Sequence, residues 1–280
     1  MMRTTFFIGK LIKLKDFVLN IDNILRFNKV LSSDKLCRIA KSYKRLYREF
    51  LCPILAKNLS STDRLLMLLH NYTYMYNHLS SDLINNMLDG MVTIWISKDL
   101  NIPCKIVLNL RVHGLEGVFR LSYLYNNESI YVFGFSIVSG NSFGSLDEDV
   151  ILISRMQLDN NKSVLYKDAI KQNARTTPAI NLYYAIIGIA TRLKINTIVS
   201  VSAENQISNK KGMLSFHKTY NDFFENFEGI ERVNDYYILR LPYTEKPTKS
   251  SHRKRSMDRR DFNSQIKISA CLSLDDLVSV

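Results

Sequence analysis

The chain has 280 residues, 46% of them hydrophobic and 23% charged, which is the composition of a folded globular protein and excludes general disorder. Lys and Arg number 38 against 26 Asp and Glu, so the net charge is +12. Such a charge predicts an anionic partner: nucleic acid, a membrane surface, a phosphorylated small molecule or an acidic protein.

Cysteine and histidine positions disfavour both a disulfide framework and a metal site. Cys37, Cys52, Cys104 and Cys271 form no CxxC pair, which is typical of reduced thiols in a cytosolic protein. The five histidines lie far apart in the sequence, so we predict no bound metal.

The N-terminal segment predicts neither a signal peptide nor a transmembrane span. Its apolar run at 4–9 is followed by Lys10 and Lys13 and by no small-residue cleavage site. No window reaches the roughly 18 apolar residues of a membrane helix. We therefore expect a cytoplasmic protein, in which residues 6–21 either pack on the core as a helix or lie on a membrane surface.

Residues 33–51 have the clearest helical period in the chain. Leu36, Ile39 and Phe50 are among the apolar residues on one face, and Ser33 or Asp34 can cap the start. The opposite face is basic and either is simply solvated or docks an acidic partner. The residues assigned to that docking face are Arg38, Lys41, Arg45 and Arg48.

Farther along, a second helix is predicted at 61–79, and strands with period two follow it. The predicted strands are 105–112, 117–125, 129–138, 150–158, 197–202 and 236–242. Helical segments are predicted at 164–194, broken near Pro178, and at 217–227.

This order of elements predicts an α+β (mixed α/β) fold, with N-terminal helices and a mainly antiparallel sheet that carries helices on its faces. We divide the chain into an N-terminal helical region (1–60) packed on the core, an α/β core (61–245), a basic closing motif (246–262) and a C-terminal tail (263–280). We expect that removal of residues 264–280 matters little.

Five motifs between about residues 60 and 262 resemble, in their order, the VirK/YbjX family of Gram-negative bacteria. They are HNYTYMYNHL, LEGVFRLSYLYNNESIYVFGFSIV, ILISRMQL, KTYNDFFENFEGIERVNDYYILRLP and HRKRSMDRR. The resemblance implies a role in virulence, in resistance to cationic antimicrobial peptides and in the bacterial envelope.

The matches to the family pattern are uneven. The Glu-Gly pair that opens a strand is present as Glu116 and Gly117, whereas the Gly-x-x-Gln-Gly strand retains only Gln157, with Ser154 and Leu158 in place of the glycines. If those glycines let backbone amides approach a phosphate, this chain binds such a ligand more weakly or differently.

Two further family features lie near the C-terminus. The aromatic-acidic helix is matched by Tyr220 and Asp222, with Phe224 in the position of the family's tryptophan. The basic close of the family is matched by Lys254, Arg255, Arg259 and Arg260.

The strand–helix order from 117 to 242 also resembles the acyltransferase fold of the GNAT type. That resemblance implies a pyrophosphate-binding loop at 157–164, but this loop contains no glycine. Either coenzyme A is not the donor or the loop is not a site. Acyl carrier protein is the other donor that the resemblance implies, and its strong acidity suits the basic face at 35–48.

Several residues are candidates for catalysis or binding. Glu116 and His113 are candidate general bases, and Tyr220 and Asp222 are candidates to position or protonate a leaving group. The structural alternatives are a turn carboxylate with an exposed imidazole, and a helix cap beside a packing tyrosine. The candidate ligand-binding residues of the core are Arg155, Gln157, Lys162 and Arg175.

The basic close at 252–260 has three interpretations: a site for phosphate or an acidic surface, a disordered tail, or a nucleic-acid contact. We favour the anion site, because no aromatic residues are interleaved with the basic ones and nucleic acid is thereby disfavoured. We expect the segment to fold back near Tyr220 and Asp222.

Two functions from different classes follow. The first is an acyltransferase-like enzyme, cytoplasmic or peripheral to the inner membrane, that acts on an envelope lipid precursor or protein. The second is a non-catalytic basic module that assists an envelope or virulence factor or its transcript. A groove between splayed strands beside Gln157 and Lys162 would favour the enzyme.

Overall fold

The computed structural model describes residues 16–97, 102–111, 116–144, 147–159, 161–209, 214–243 and 253–274, without the side chains of residues 215 and 253–256. Within these ranges one eight-stranded sheet has the order β1-β2-β3-β4-β5-β6-β8-β7. Its strands are β1 (Val92–Ile96), β2 (Cys104–Leu110), β3 (Phe119–Tyr125), β4 (Glu128–Ser139), β5 (Asp149–Leu158), β6 (Thr197–Val201), β7 (Ile230–Val233) and β8 (Tyr236–Arg240). The predicted α+β fold is confirmed.

The first five strands form an antiparallel meander, and β6 then joins β5 in parallel. Asn126 and Asn127 both have positive φ (52° and 61°), the conformation of a tight hairpin turn between β3 and β4. The six predicted strands are confirmed. Strands β1 and β7 were not predicted, because neither has period-two burial: β7 has only Ile230 partly buried.

The N-terminal region contains α1 (Ile21–Leu31), α2 (Cys37–Ser42) and a 3-10 helix (Leu46–Leu51). The single helix predicted over 33–51 is therefore wrong. The helix ends at Tyr43, whose backbone is not helical (φ −134°, ψ 81°). The Arg64 Nε donates to the Phe50 carbonyl at 2.9 Å, and this hydrogen bond holds the 3-10 helix independently of α2. The predicted apolar residues are nevertheless buried in both segments.

Helix α3 (Ser61–His78), which was predicted, begins at a capping box between Ser60 and Asp63. It packs on β4, where the Asn71 Oδ1 accepts a hydrogen bond from the Ile137 backbone N–H at 2.8 Å. Helix α4 (Ser81–Asp89) follows and packs against β1 and β2.

The predicted break near Pro178 separates α5 (Ser163–Gln172) from α6 (Pro178–Arg192). Thr177 caps α6, since its Oγ1 accepts from the Ile180 N–H at 3.2 Å, and Pro178 takes the first helical position. Nearly every residue of α6 is buried, so this helix forms the centre of the core.

The helix predicted at 217–227 is divided at Tyr220 into α7 (Leu214–Thr219) and α8 (Asn221–Glu225). The basic close enters α9 (Arg253–Leu272), which runs through residue 262 and packs on α6. Ile266 and Ala270 of α9 are buried, and a Cβ on Gly188 of α6 would collide with the Lys267 carbonyl. The segment predicted as a dispensable tail is therefore part of the core up to about residue 274.

No helix in the described ranges is long and apolar enough to cross a membrane.

Candidate functional site

The sheet opens between β5 and β6. These parallel strands pair only from Ile151–Ile198 to Ile153–Ser200, while β5 continues to Leu158. At the same point β5 has a bulge: Arg155 pairs with Gly134 and Ile153 with Phe135, so Ser154 is the extra residue. A bulge bends its strand and redirects the side chains beyond it, and from Ser154 onward β5 has no pairing with β6.

Two glycines bring Glu116 against this bulge. Gly117 has φ +110°, and a Cβ there would collide with the Phe135 backbone N. A Cβ on Gly134 would collide with the Glu116 carbonyl oxygen. The Glu-Gly pair therefore lies directly on β4 beside Arg155, and no side chain other than hydrogen fits at either glycine.

The Glu116 carboxylate is 7% exposed and is surrounded by donors. Its Oε1 accepts from the Gln206 Nε2 at 2.5 Å and from the Ser208 hydroxyl. Its Oε2 lies 3.7 Å from the Arg155 Nε and 4.0 Å from the Arg111 Nη1. A buried carboxylate is tolerated when it is paired and hydrogen-bonded in this way.

Arg111, Gln206 and Ser208 were not predicted as site residues. Gln206 and Ser208 lie in the polar loop that follows β6, at the carboxyl end of a parallel strand, where ligands commonly bind in α/β sheets. That position in the fold is the signal that would have identified them.

Tyr220 lies against the part of β5 that extends beyond its pairing with β6. It is buried, and its hydroxyl oxygen accepts a hydrogen bond from the Met156 N–H at 2.8 Å, next to Arg155. Burial, and then the Glu116 charge, raise the pKa of Tyr220 above its ordinary value, while Arg155 and a Gln206 hydrogen bond oppose this. The phenol is therefore protonated at neutral pH and can donate its O–H.

Glu49, on the 3-10 helix, is a second carboxylate near Arg111 that the sequence did not indicate. Burial raises the pKa of Glu49 to about 7, and the Arg111 charge opposes that rise. Its Oε1 is buried and has no hydrogen-bond partner among the described residues. Arg111 thus interacts with two carboxylates in different surroundings, Glu49 and Glu116.

Arg155 has unused hydrogen-bonding capacity. Its side chain is 19% exposed, and its Nε, although 3.7 Å from Glu116, has no hydrogen-bond partner in the described part of the chain. The buried Ser154 Oγ and Asn205 Nδ2 also lack partners there. Buried donors without acceptors are costly, so the region around the bulge is suited to a ligand that carries acceptor oxygens.

The other candidates of the core lie apart from Glu116. Gln157 is exposed on β5, and the Lys162 Nζ pairs with Glu128. Asp222 is exposed on the first turn of α8. His113 lies outside the described residues.

The described residues of the basic close contact the loop before α6 and the end of the chain segment after β8. The Arg259 Nε donates to the Ala174 carbonyl at 3.3 Å, and Arg260 acts electrostatically on Tyr243. Arg259 and the predicted ligand-binding residue Arg175 line one cavity. The side chains of Lys254 and Arg255 lie outside the described part of the structure.

The four basic residues assigned to docking are exposed, as a docking surface requires, although they lie on α2, just before the 3-10 helix and on the 3-10 helix rather than on one helix. Arg38 is engaged within the chain, since its guanidinium donates to Asn85 Oδ1 at 2.6 Å and to Asp89 Oδ1 at 2.7 Å. The exposed set is Arg38, Lys41, Arg45 and Arg48.

A family model with the description "Protein of unknown function (DUF535)" matches residues 14–265, which is most of the chain. No curated protein and no solved structure matches the sequence.

Proposed function

Because the chain belongs to the DUF535 family, the family that contains the VirK/YbjX proteins, we propose that it is a VirK-like acyltransferase that acts on an envelope lipid precursor or an envelope protein. The observation that carries the proposal is the opening of the sheet at Ser154, where Arg155, Glu116 and Tyr220 meet at the end of a parallel strand pair. The order of elements along the chain from β3 to β8 supports the proposal, because it is the order on which the resemblance to the acyltransferase fold was based.

In the proposed reaction a hydroxyl or amine of the acceptor attacks the carbonyl carbon of an acyl thioester. A carbon–oxygen or carbon–nitrogen bond forms, the carbon–sulfur bond breaks, and the thiolate leaves. Tyr220, whose oxygen accepts from the Met156 N–H, donates a hydrogen bond to that thiolate; because burial raises its pKa above that of a thiol, the thiolate takes its proton from water. Glu49, which shares Arg111 with Glu116, accepts the proton of the acceptor, and its pKa of about 7 suits that role.

Glu116 is a positioning residue in this scheme rather than the base. Both of its oxygens face donors, and its charge holds the two guanidinium groups of Arg111 and Arg155 at the bulge. Arg155 then binds an anionic group of the substrate through its guanidinium group.

Acyl carrier protein and coenzyme A remain the two candidate donors. The loop that would hold the coenzyme A pyrophosphate has Lys162 committed to Glu128. This favours acyl carrier protein, an acidic protein that suits the exposed basic residues of α2 and the 3-10 helix.

The test is acyl transfer by the purified protein, with each donor in turn, together with mass spectrometry of lipid A and of acylated envelope proteins from cells with and without the gene. We expect Tyr220→Phe to lower turnover by about tenfold or more at unchanged abundance. Tyr237→Phe is the matched control, because Tyr237 is equally buried and loses one hydrogen bond, to Glu225.

One observation favours the alternative, a non-catalytic basic module that assists an envelope or virulence factor or its transcript: the buried Tyr220 itself lies against the part of β5 that extends beyond its pairing with β6. If neither donor supports transfer, no lipid or protein changes mass, and Tyr220→Phe behaves as Tyr237→Phe does, the enzyme is excluded and the module remains.

A further inference from the structure

A groove of about 1150 Å³ lies between β1 and α9. Apolar side chains from both elements line it, with Trp95 and Phe262 in edge-to-face contact, their ring centroids 5.5 Å apart. Ile268 and Leu272 of α9 also line it and are 55% and 60% exposed. The groove therefore presents apolar surface that the rest of the described chain leaves uncovered.

Strand β1 is the edge of the sheet, but the groove is poorly suited to an added strand. Helix α9 packs along β1, and the Ser269 hydroxyl donates to the Ile94 carbonyl at 3.0 Å. A backbone acceptor that an incoming strand would need is thereby occupied. An occupant held by its apolar surface, rather than by backbone hydrogen bonds, fits better.

Cationic side chains converge at one end of the groove. A smaller cavity of about 250 Å³ is lined by Lys171, Arg175 and Arg259, and it shares Ala174 and Asp258 with the groove. These cations come from the end of α5, from the loop before α6 and from α9, so only the fold brings them together.

The backbone holds two of the three cations in place. Ala174 and Arg175 have φ of 48° and 60°, a left-handed conformation that L-residues rarely adopt. The Ala174 carbonyl accepts from the Arg259 Nε at 3.3 Å. Lys171 has its own partner in Asp168, at 3.0 Å, and Asp258 lines the same small cavity, so that cavity retains one net positive charge for an anion, while Asp261 lines the adjoining groove.

We propose that this groove binds a single-chain anionic amphiphile, with its hydrocarbon chain along Trp95, Ile268 and Leu272 and its carboxylate or phosphate head at Arg175 and Arg259. Such a ligand requires an apolar groove with a cationic end, because burial of its hydrocarbon chain supplies affinity and the two guanidinium groups hold its anionic head group. The volume is at least that of typical small-molecule sites, about 300–1000 Å³.

The groove is distinct from the site at Glu116. Strands β2, β3 and β4 lie between β1 and β5, and none of the residues that line the groove takes part in the contacts of Glu116. Ligand binding in the groove is therefore independent of acyl transfer at Glu116.

The chain offers a direct probe of occupancy, since its one tryptophan, Trp95, lines the groove. Bromine atoms quench tryptophan fluorescence on contact, so we expect dibromostearate, added below its micelle concentration, to quench Trp95 with saturation. The corresponding dibromo-alcohol, which has the same chain and no charge, should bind about tenfold more weakly or less.

Substitutions then test separately the binding of the charged head group and of the hydrocarbon chain of the ligand. Arg175→Gln with Arg259→Gln should weaken dibromostearate binding by about tenfold and leave the alcohol unchanged, whereas Ile268→Asp should weaken both ligands. Arg45→Gln with Arg48→Gln removes two exposed arginines elsewhere and should change neither. Far-ultraviolet circular dichroism verifies that each variant is folded.

Three outcomes would overturn the proposal: no saturable quenching by dibromostearate, equal weakening by the two arginine pairs, or Trp95 emission that changes with protein concentration before any ligand is added. The second would indicate nonspecific attraction to the basic surface. The third would indicate that a second copy of the chain occupies the groove.

Discussion

At the scale of single residues, the two carboxylates that interact with Arg111 have unlike surroundings. Glu116 is held by donors from two loops and a strand, whereas Glu49 is buried with an unpartnered oxygen. Besides its interaction with Arg111, the Glu49 charge raises the pKa of two neighbouring phenols, those of Tyr72 on α3 and of Tyr43. Two carboxylates in such different surroundings commonly have different roles in a reaction.

Glu49 should make stability depend on pH. Burial raises its pKa from 4.5 to about 7. Between pH 4.5 and pH 7 the folded protein therefore binds a proton that the unfolded chain has already released. Stability is therefore highest below about pH 4.5 with respect to this group, and it falls by on the order of 3 kcal/mol as the pH rises through 7.

Denaturant unfolding of the wild type and Glu49→Gln at pH 5 and pH 8 measures this contribution. We expect the amide variant to be more stable than the wild type at pH 8 and to differ little from it at pH 5. Equal free energies of unfolding for the variant and the wild type at both pH values would show that Glu49 is already ionised at pH 5. That result would rule out Glu49 as the proton acceptor.

At the scale of elements, α9 joins the C-terminal segment to the core. Ile266 is fully buried against the fold, whereas Ile268, two residues later on the same helix, is 55% exposed. The close approach of Lys267 to Gly188 shows how tightly α9 packs on α6. The earlier expectation that residues 264–280 are dispensable does not fit this packing.

Two isoleucines of α9 provide a matched test. Ile266→Ala should cost about 2–4 kcal/mol, because it opens a cavity between α9 and α6, whereas Ile268→Ala should change stability by no more than about 0.5 kcal/mol. Deletion of residues 264–280 should destabilise at least as much as Ile266→Ala. Equal effects of the two alanine substitutions, measured by urea unfolding, would mean that α9 is not docked in solution.

At the scale of the whole molecule, the net charge of +12 is distributed over several surfaces rather than one. The cationic end of the groove holds part of it, and the exposed residues of α2 and the 3-10 helix hold another. Arg38 already has Asp89 as a partner, so Lys41, Arg45 and Arg48 are the residues most available to an acidic protein.

Reversal of these three charges tests docking. Lys41→Glu, Arg45→Glu and Arg48→Glu together should abolish binding of acyl carrier protein, measured by calorimetry, and leave the melting temperature within a few degrees, since exposed pairs contribute only about 0.2–1 kcal/mol each.

A second triple variant, Arg26→Glu, Lys29→Glu and Lys218→Glu, changes the net charge equally at other exposed positions and should still bind. If both triple variants lose binding alike, the attraction is a property of the net charge rather than of this surface.

The sequence by itself determined the features that depend on neighbouring residues. The strands from 105 to 158 show their alternation, the Asn126–Asn127 pair marks the hairpin, and Pro178 begins α6 after the predicted break. Glu116 and Tyr220 were identified as site residues because their motifs carry a resemblance. Each of these signals is contained within a few residues of chain, where backbone propensity and side-chain period act directly.

Only the tertiary structure decided which distant residues meet. Gln206 and Ser208 reach Glu116 across 90 and 92 positions, and Arg175 and Arg259 share a cavity because α9 returns to α6. The division of 33–51 at Tyr43 has the same origin, since Arg64 fixes the second half in its own orientation. These contacts depend on strand order, on the bulge at Ser154 and on helix packing, whose energies come from surfaces that are far apart in the chain and that no local pattern specifies.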